Sequence, residues 1–194
     1  MYNYTLSLIM TFIALVCVVT SYFVKKKSNY LFFQWLCCLF LIAGYFFTEQ
    51  FFAMVGLAIG LIRSTVFLIY ERKDKTASIW WSVGLSTATL SSYFIVNLWI
   101  LGDAQPLDLL CVVGLASFAF IFRIRNLKLV RFLMLPPTAL TILFNILTHA
   151  ALFATLTYVF ELGANIVSIF KYHVFGNKKE TQSVSEGEYT YENG

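Results

Sequence analysis

Seven long apolar stretches, separated by short polar breaks, run through the sequence: Tyr4–Val24, Tyr30–Thr48, Phe51–Tyr70, Ile79–Leu101, Leu107–Phe122, Val130–Thr148 and Ala151–Phe170. A helix needs roughly 20 residues, at about 1.5 Å each, to cross a hydrocarbon core of about 30 Å. In lipid a backbone can pair its polar groups only within helices or in a closed barrel. Barrel strands read as segments of about ten residues with alternating polarity, and the stretches show no such alternation. The sequence therefore predicts an all-α membrane protein with seven transmembrane helices.

Composition excludes the soluble alternative. Charged residues make up 12% of the chain and hydrophobic residues 59%, whereas a soluble domain carries roughly 25% charge. One transmembrane domain is expected over residues 1–175. The polar remainder, 176–194, is rich in Glu, Ser, Thr and Lys and is expected to be a disordered cytoplasmic tail. The first apolar run has no basic residue before it and is followed by Lys25, Lys26 and Lys27, a stop-transfer pattern rather than a cleavable signal. Cys17, Cys37, Cys38 and Cys111 all lie inside apolar runs. They read as small buried hydrophobes, not as a disulfide framework or zinc ligands, and no metal or cofactor is expected.

The breaks alternate in charge. Lys25, Lys26 and Lys27 fill the first, Arg72, Lys73 and Lys75 the third, and Arg123, Arg125, Lys128 and Arg131 the fifth; Lys171, Lys178 and Lys179 follow the last run. These are 13 of the 14 Lys and Arg residues, and the even-numbered breaks, which hold Glu49, Asp103, Asp108 and His149, contain none. Basic loops stay in the cytoplasm, so the N-terminus is expected outside and the C-terminus inside. Anionic lipid headgroups are the natural partners of these loops.

Helices one to three match helices five to seven in layout at a displacement near 100 residues: Lys25 falls opposite Arg125, Thr48 opposite Thr148 and Glu49 opposite His149. With a further shift of two, Arg63 falls opposite Asn165 and Tyr70 opposite Tyr172. Three crossings cannot be inverted and still keep both basic loops inside. The expectation is two parallel three-helix repeats joined by a linker helix (3+1+3), an arrangement whose substrate site lies at the repeat interface near mid-depth.

Leu57-Ala58-Ile59-Gly60-Leu61-Ile62-Arg63, Val113-Gly114-Leu115-Ala116-Ser117-Phe118 running on to Arg123, Asn145, and Gly163-Ala164-Asn165-Ile166-Val167 together resemble the YgjV-type bacterial inner-membrane proteins. The resemblance covers most of the chain outside the tail and implies a bacterial inner-membrane location. The layout also resembles, distantly, the three-one-three plan of SWEET sugar transporters and other PQ-loop proteins. Pro136-Pro137 forms no Pro-Gln pair of that kind.

Arg63 is the one basic residue that the breaks and the tail do not account for, and it lies deep inside a run. It lies seven residues before Tyr70, roughly 10 Å from the cytoplasmic end. A charge at that depth faces a cavity or a partner, or snorkels to the interface along its own stem. Glu161, near mid-depth in the seventh run, is the natural partner, and Asn165 follows one turn later on the same face. A salt bridge with no role in transport is the competing reading. Arg63, Glu161, Asn165 and Asn145 are the candidate substrate-binding residues, an interhelical hydrogen bond being the more ordinary reading of Asn145 and of Asn97. Glu49 and His149 lie at the outer ends, where they could mark an entrance or simply be solvated. Gly56-x-x-x-Gly60 suggests close helix packing.

No nucleotide-binding loop, protease motif or nucleic-acid motif is present, and the His residues lie too far apart for a metal or base constellation. The expected function is a small-solute transporter or channel of unknown substrate and not an enzyme. The alternative is a structural or signalling membrane protein, and a homo-oligomer is compatible with either. Reporter fusions check the topology: a fusion at Gly194 should be active only in the cytoplasm, and activity only outside would overturn the orientation.

Overall fold

The computed structural model describes residues 4–47, 51–95, 108–147 and 152–174, and all the regular structure among them is helical. The elements are α1 (Tyr4–Phe23), α2 (Lys27–Phe46), α3 (Phe51–Arg72), α4 (Ile79–Tyr93), α5 (Asp108–Ile121), α6 (Leu127–Leu133), α7 (Leu135–Leu147) and α8 (Leu152–Ile169), which ends in a π-helical turn at Phe170–Val174. Of the sequence expectations, Glu49, Asn97, His149 and the tail 176–194 lie outside the described residues, as do the side chains of Cys111 and Asn145.

The sixth apolar run is two helices, not one. It begins earlier than expected, at Leu127, because the Asn126 side chain accepts the Lys128 backbone N–H at 2.9 Å and caps the first turn. It breaks at Met134 because Pro136 and Pro137 have no N–H to donate back to the preceding turn. Both prolines therefore occupy the first turn of α7, where missing donors cost least. α2 also starts earlier than the apolar pattern, at Lys27, whose ammonium lies 2.9 Å from the Glu71 carboxylate at the end of α3.

Among the described residues four helical stretches are long and apolar enough to cross a membrane: Tyr4–Phe23, Lys27–Phe46, Met54–Arg72 and Leu127–Phe144, with Val112–Ile121 a shorter apolar helix. The outer surfaces of the helices carry exposed Phe12, Ile62, Trp80, Phe132 and Ile146. That much apolar surface is unfavourable in water and natural in lipid.

The helices pack as a ring in chain order. α1 contacts α2, α2 contacts α3, α3 contacts α4, α4 contacts α5, α5 contacts α7, α7 contacts α8, and α8 returns to α1. The breaks between helices with basic residues gather at one end of this ring. Arg125 bonds Asp74, which holds a left-handed conformation (φ 54°), and the Arg123 Nε donates to the Ala77 carbonyl at 3.0 Å. At the centre, Tyr22, Tyr30, Phe67, Phe118 and Phe122 form a continuous aromatic core. Tyr30 sits edge-on to Tyr22 at 5.6 Å between ring centroids and to Phe122 at 6.0 Å.

Burial recurs along the chain. Ala14, Val18, Tyr22, Tyr30, Leu31, Gln34 and Cys38 are buried, and so are Gly114, Phe118, Phe122, Val130, Arg131, Met134 and Thr138, each 100 residues further on. In α3 and α8 the displacement is 101: Gly60, Arg63, Ser64 and Phe67 match Glu161, Ala164, Asn165 and Ser168. The register is one short of the one expected from charge, so Ser64 rather than Arg63 stands opposite Asn165.

Close helix approach is not at Gly56, where a Cβ would meet nothing within 4 Å. It occurs at Gly44 between α1 and α2 and at Gly114 between α5 and α7. Both glycines face a threonine whose hydroxyl is bonded to the carbonyl four residues earlier, Thr11 to Ser7 and Thr141 to Pro137. A Cβ at Gly114 would come within 3.2 Å of both the Pro137 carbonyl oxygen and Thr141 Oγ1, neither free to move aside. Gly114→Ala should therefore destabilise the protein by ~1–3 kcal/mol and lower its thermal midpoint in detergent. Gly56→Ala should leave the midpoint unchanged or raise it; equal effects at the two positions would contradict the packing.

Candidate functional site

The polar side chains inside the bundle converge on Glu161. It sits in α8, is 6% exposed, and accepts a hydrogen bond from the Tyr22 hydroxyl of α1 at 2.7 Å. Gln34 of α2 also hydrogen-bonds this carboxylate and donates to Ser21 Oγ at 3.3 Å. Tyr30 and Cys37, both buried in α2, interact electrostatically with Glu161.

Arg63 approaches from α3. It is 9% exposed, which excludes the snorkelling alternative. Its Nη1 donates to the Leu115 carbonyl of α5 at 3.1 Å, and the guanidinium lies over the rings of Phe118 (5.2 Å) and Phe122 (5.0 Å). The guanidinium also folds back across its own helix: Nη2 lies 3.7 Å from where a Cβ on Gly60 would stand. The Cys38 Sγ of α2 would lie 3.5 Å from the same Cβ, so Gly60 faces both the charge and the neighbouring helix.

The expected contact of Arg63 with Glu161 or Asn165 is absent. The two charges interact electrostatically, but no Arg63 nitrogen comes within 4.0 Å of a Glu161 oxygen. Each is held by neutral neighbours instead. The Arg63 Nε, the Tyr30 hydroxyl and the Ser64 hydroxyl are buried with no hydrogen-bond partner. Unpaired buried polar atoms are rare and costly; Arg131 Nε and Asn165 Oδ1, at the α6–α8 contact, are two more.

Asn165 has a different task. Its Nδ2 donates to the Arg131 carbonyl at 2.8 Å, tying α8 to α6. Arg131 is 2% exposed, bonds the Val24 carbonyl at 2.6 Å and lies 4.6 Å from the Tyr172 ring centroid. Ser168 donates to the Tyr22 carbonyl at 2.7 Å, and the Tyr172 hydroxyl to the Phe23 carbonyl at 2.6 Å. The last turn of α1 is therefore capped entirely by the second half of the chain. A cation at a helix C-terminus is also favoured by the dipole.

Sequence reasoning identified Arg63 and Glu161 but missed Tyr22, Tyr30, Gln34 and Arg131. Gln34 could have been found, because an amide in the middle of an apolar run needs a partner. The two tyrosines resembled interfacial anchors, and Arg131 resembled one more loop charge. Among the described residues no three His, Cys, Asp or Glu side chains come together as a metal site.

A family model described as bacterial inner membrane protein, Imp-YgjV, matches residues 5–174 of the 194. The chain belongs to this family. No curated protein and no solved structure matches significantly. The Imp-YgjV match confirms the resemblance read from the Gly60–Arg63 and Gly163–Val167 segments and makes the chain a bacterial inner-membrane protein. It spans every helix described above except the first residue of α1.

The geometry of this Imp-YgjV site gives a stability prediction. Tyr22→Phe removes the direct donor to a buried carboxylate, and hydrogen bonds to charged groups are worth ~1.5–3 kcal/mol. Its thermal midpoint in detergent should fall clearly. Exposed Tyr4→Phe should have no effect, and a Tyr22→Phe midpoint equal to wild type would show that the Glu161 contact is not formed.

Proposed function

We propose that this protein carries a small solute across the bacterial inner membrane through the polar cluster centred on Arg63 and Glu161. In this reading α1–α3 and α5–α8 are two parallel three-helix halves, with α4 as the linker, seven crossings in all. The N-terminus is outside and the C-terminus in the cytoplasm. The recurring burial pattern supports the duplication. Arg63 of α3 also reaches the Leu115 carbonyl of α5, a slighter counterpart of the extensive α1–α8 contact if α1 corresponds to α5 and α3 to α8. Glu49 and His149 are then candidates for the entrance on the outer face, and Asn145 for a further polar contact in α7.

One observation carries the reading: two opposite charges are buried where the halves meet, and neither neutralises the other directly. A structural pair would be expected to close into a salt bridge, because an unpaired buried ion is strongly destabilising. Charges held apart by neutral neighbours, with unpaired donors beside them, suit a solute that completes the hydrogen bonding. A purely structural or signalling role leaves these donors without a purpose.

Purified protein in proteoliposomes, tested with pools of sugars, nucleosides, vitamins and amino acids, should accumulate at least one pool above empty vesicles. Arg63→Gln and Glu161→Gln should each reduce that uptake by about tenfold or more, equivalent to ~1.4 kcal/mol, while Gly56→Ala retains it. No uptake of any pool, or uptake unchanged in both charge variants, would reject transport through this cluster.

A further inference from the structure

We propose that the basic corner where α1, α6 and α8 meet binds the headgroup of an anionic phospholipid, which ties the two ends of the helix ring together. The inference is independent of the transport reading. It concerns the outer surface of the ring and holds whether or not a solute passes through the bundle.

Four lysines gather there. Arg131 of α6 bonds the Val24 carbonyl, so the start of α6 lies against the residue that precedes Lys25 and Lys26. Lys128 is one turn before Arg131 on the same helix. The Lys171 ammonium, in the π-helical turn after α8, lies 5.7 Å from the Phe23 ring centroid and 5.6 Å from that of Tyr172. The Tyr172 hydroxyl in turn bonds the Phe23 carbonyl. Lys25, Lys26, Lys128 and Lys171 are all exposed, and among the described residues none of them forms an ion pair. The nearby carboxylates are engaged elsewhere: Glu71 with Lys27, Asp74 with Arg125, and Glu161, inside the bundle, with Tyr22.

Lys25 and Lys26 come from the first half of the chain and Lys128 and Lys171 from the second, at the seam where α8 returns to α1. Four like charges oppose closure of that seam, and an anionic headgroup among them reverses the sign of the interaction. The surroundings suit a lipid better than a soluble anion. Phe23 and Phe170 are exposed beside the lysines; two turns deeper on α1 Val16 is exposed, and one turn deeper on α8 Val167. An acyl chain can lie along these side chains while its phosphate meets the ammonium groups. α2 also begins here with no side-chain cap at Lys26, whereas Ser78 and Asn126 cap α4 and α6, so a phosphate oxygen has backbone donors within the same corner. The α3–α4 break is different. Lys73 and Lys75 are as exposed but flank Asp74, and they join helices that are already consecutive.

The test is thermal unfolding of the full-length protein in phosphatidylcholine nanodiscs containing increasing amounts of phosphatidylglycerol. Phosphatidylglycerol should raise the midpoint, and inorganic phosphate added to pure phosphatidylcholine discs should not. Lys128→Gln/Lys171→Gln should need about fivefold more phosphatidylglycerol, for each lysine removed, to reach half the rise. Lys25→Gln/Lys26→Gln, which leaves the ring contacts of Lys171 intact, should weaken the response to the same degree and shows that the loss is not one of folding. Lys73→Gln/Lys75→Gln removes the same charge from the other corner and should keep the wild-type response. No rise with phosphatidylglycerol, an equal rise with inorganic phosphate, or equal weakening in all three double variants overturns the proposal. The last of these outcomes would mean that the basic end attracts anionic lipid by net charge alone.

Discussion

The C-terminal turn of α1 holds the bundle together. A helix leaves its last carbonyls unpaired, and lipid supplies no water to satisfy them. Here the carbonyls of Tyr22, Phe23 and Val24 accept from Ser168, Tyr172 and Arg131. All three donors come from the second half of the chain, more than 100 residues away. Closing the ring of helices is thus the same event as capping α1. The cap also fixes the site: Ser168 lies two turns after Glu161 on α8, so the bond that seats Ser168 on the Tyr22 carbonyl brings the Tyr22 hydroxyl to Glu161. The π-helical turn beyond α8 lets Tyr172 reach Phe23 while its ring lies over Arg131.

How much of this was legible in the sequence follows from what lipid hides. Apolar runs and basic breaks are direct consequences of the bilayer, so the helices and the gathering of the basic breaks at one end could be read at once. Arg63 and Glu161 stood out because a charge in an apolar run is conspicuous. Their environments could not be read, because an all-round apolar helix has no periodicity to say which face is inward. Gly56 and Gly60 looked like a packing motif by spacing, yet the glycines that bring helices together are Gly44 and Gly114, which have no such spacing. Pro136-Pro137 mark the break at Met134, but the apolar run reads through them as one helix beginning at Val130. Arg131, at the edge of that run, was therefore assigned to a loop instead of to the buried cap.

The matched burial patterns carry very different chemistry. At the position where the first half has Tyr22, the second has Phe122; where α8 has Ser168, α3 has Phe67. The α1–α8 contact is consequently a set of hydrogen bonds. The α3–α5 contact is rings, with Phe67 6.5 Å from Phe122 between centroids, and a guanidinium lying on them. On the duplicated reading, one interface became polar and its counterpart stayed aromatic. Glu161 lies at the polar interface and Arg63 at the aromatic one. A duplicated scaffold then holds one asymmetric site in place of two equivalent half-sites.

That asymmetry accounts for why the two charges stay apart. Glu161 is anchored toward α1 by Tyr22 and toward α2 by Gln34, and Arg63 toward α5 by the Leu115 carbonyl and two rings. For a direct salt bridge, one side would have to abandon neutral partners that are themselves buried, exposing a further unpaired hydroxyl or carbonyl at a cost of roughly 1–3 kcal/mol each. The bundle therefore keeps two separated charges, each stabilised by its own surroundings and still attracting the other.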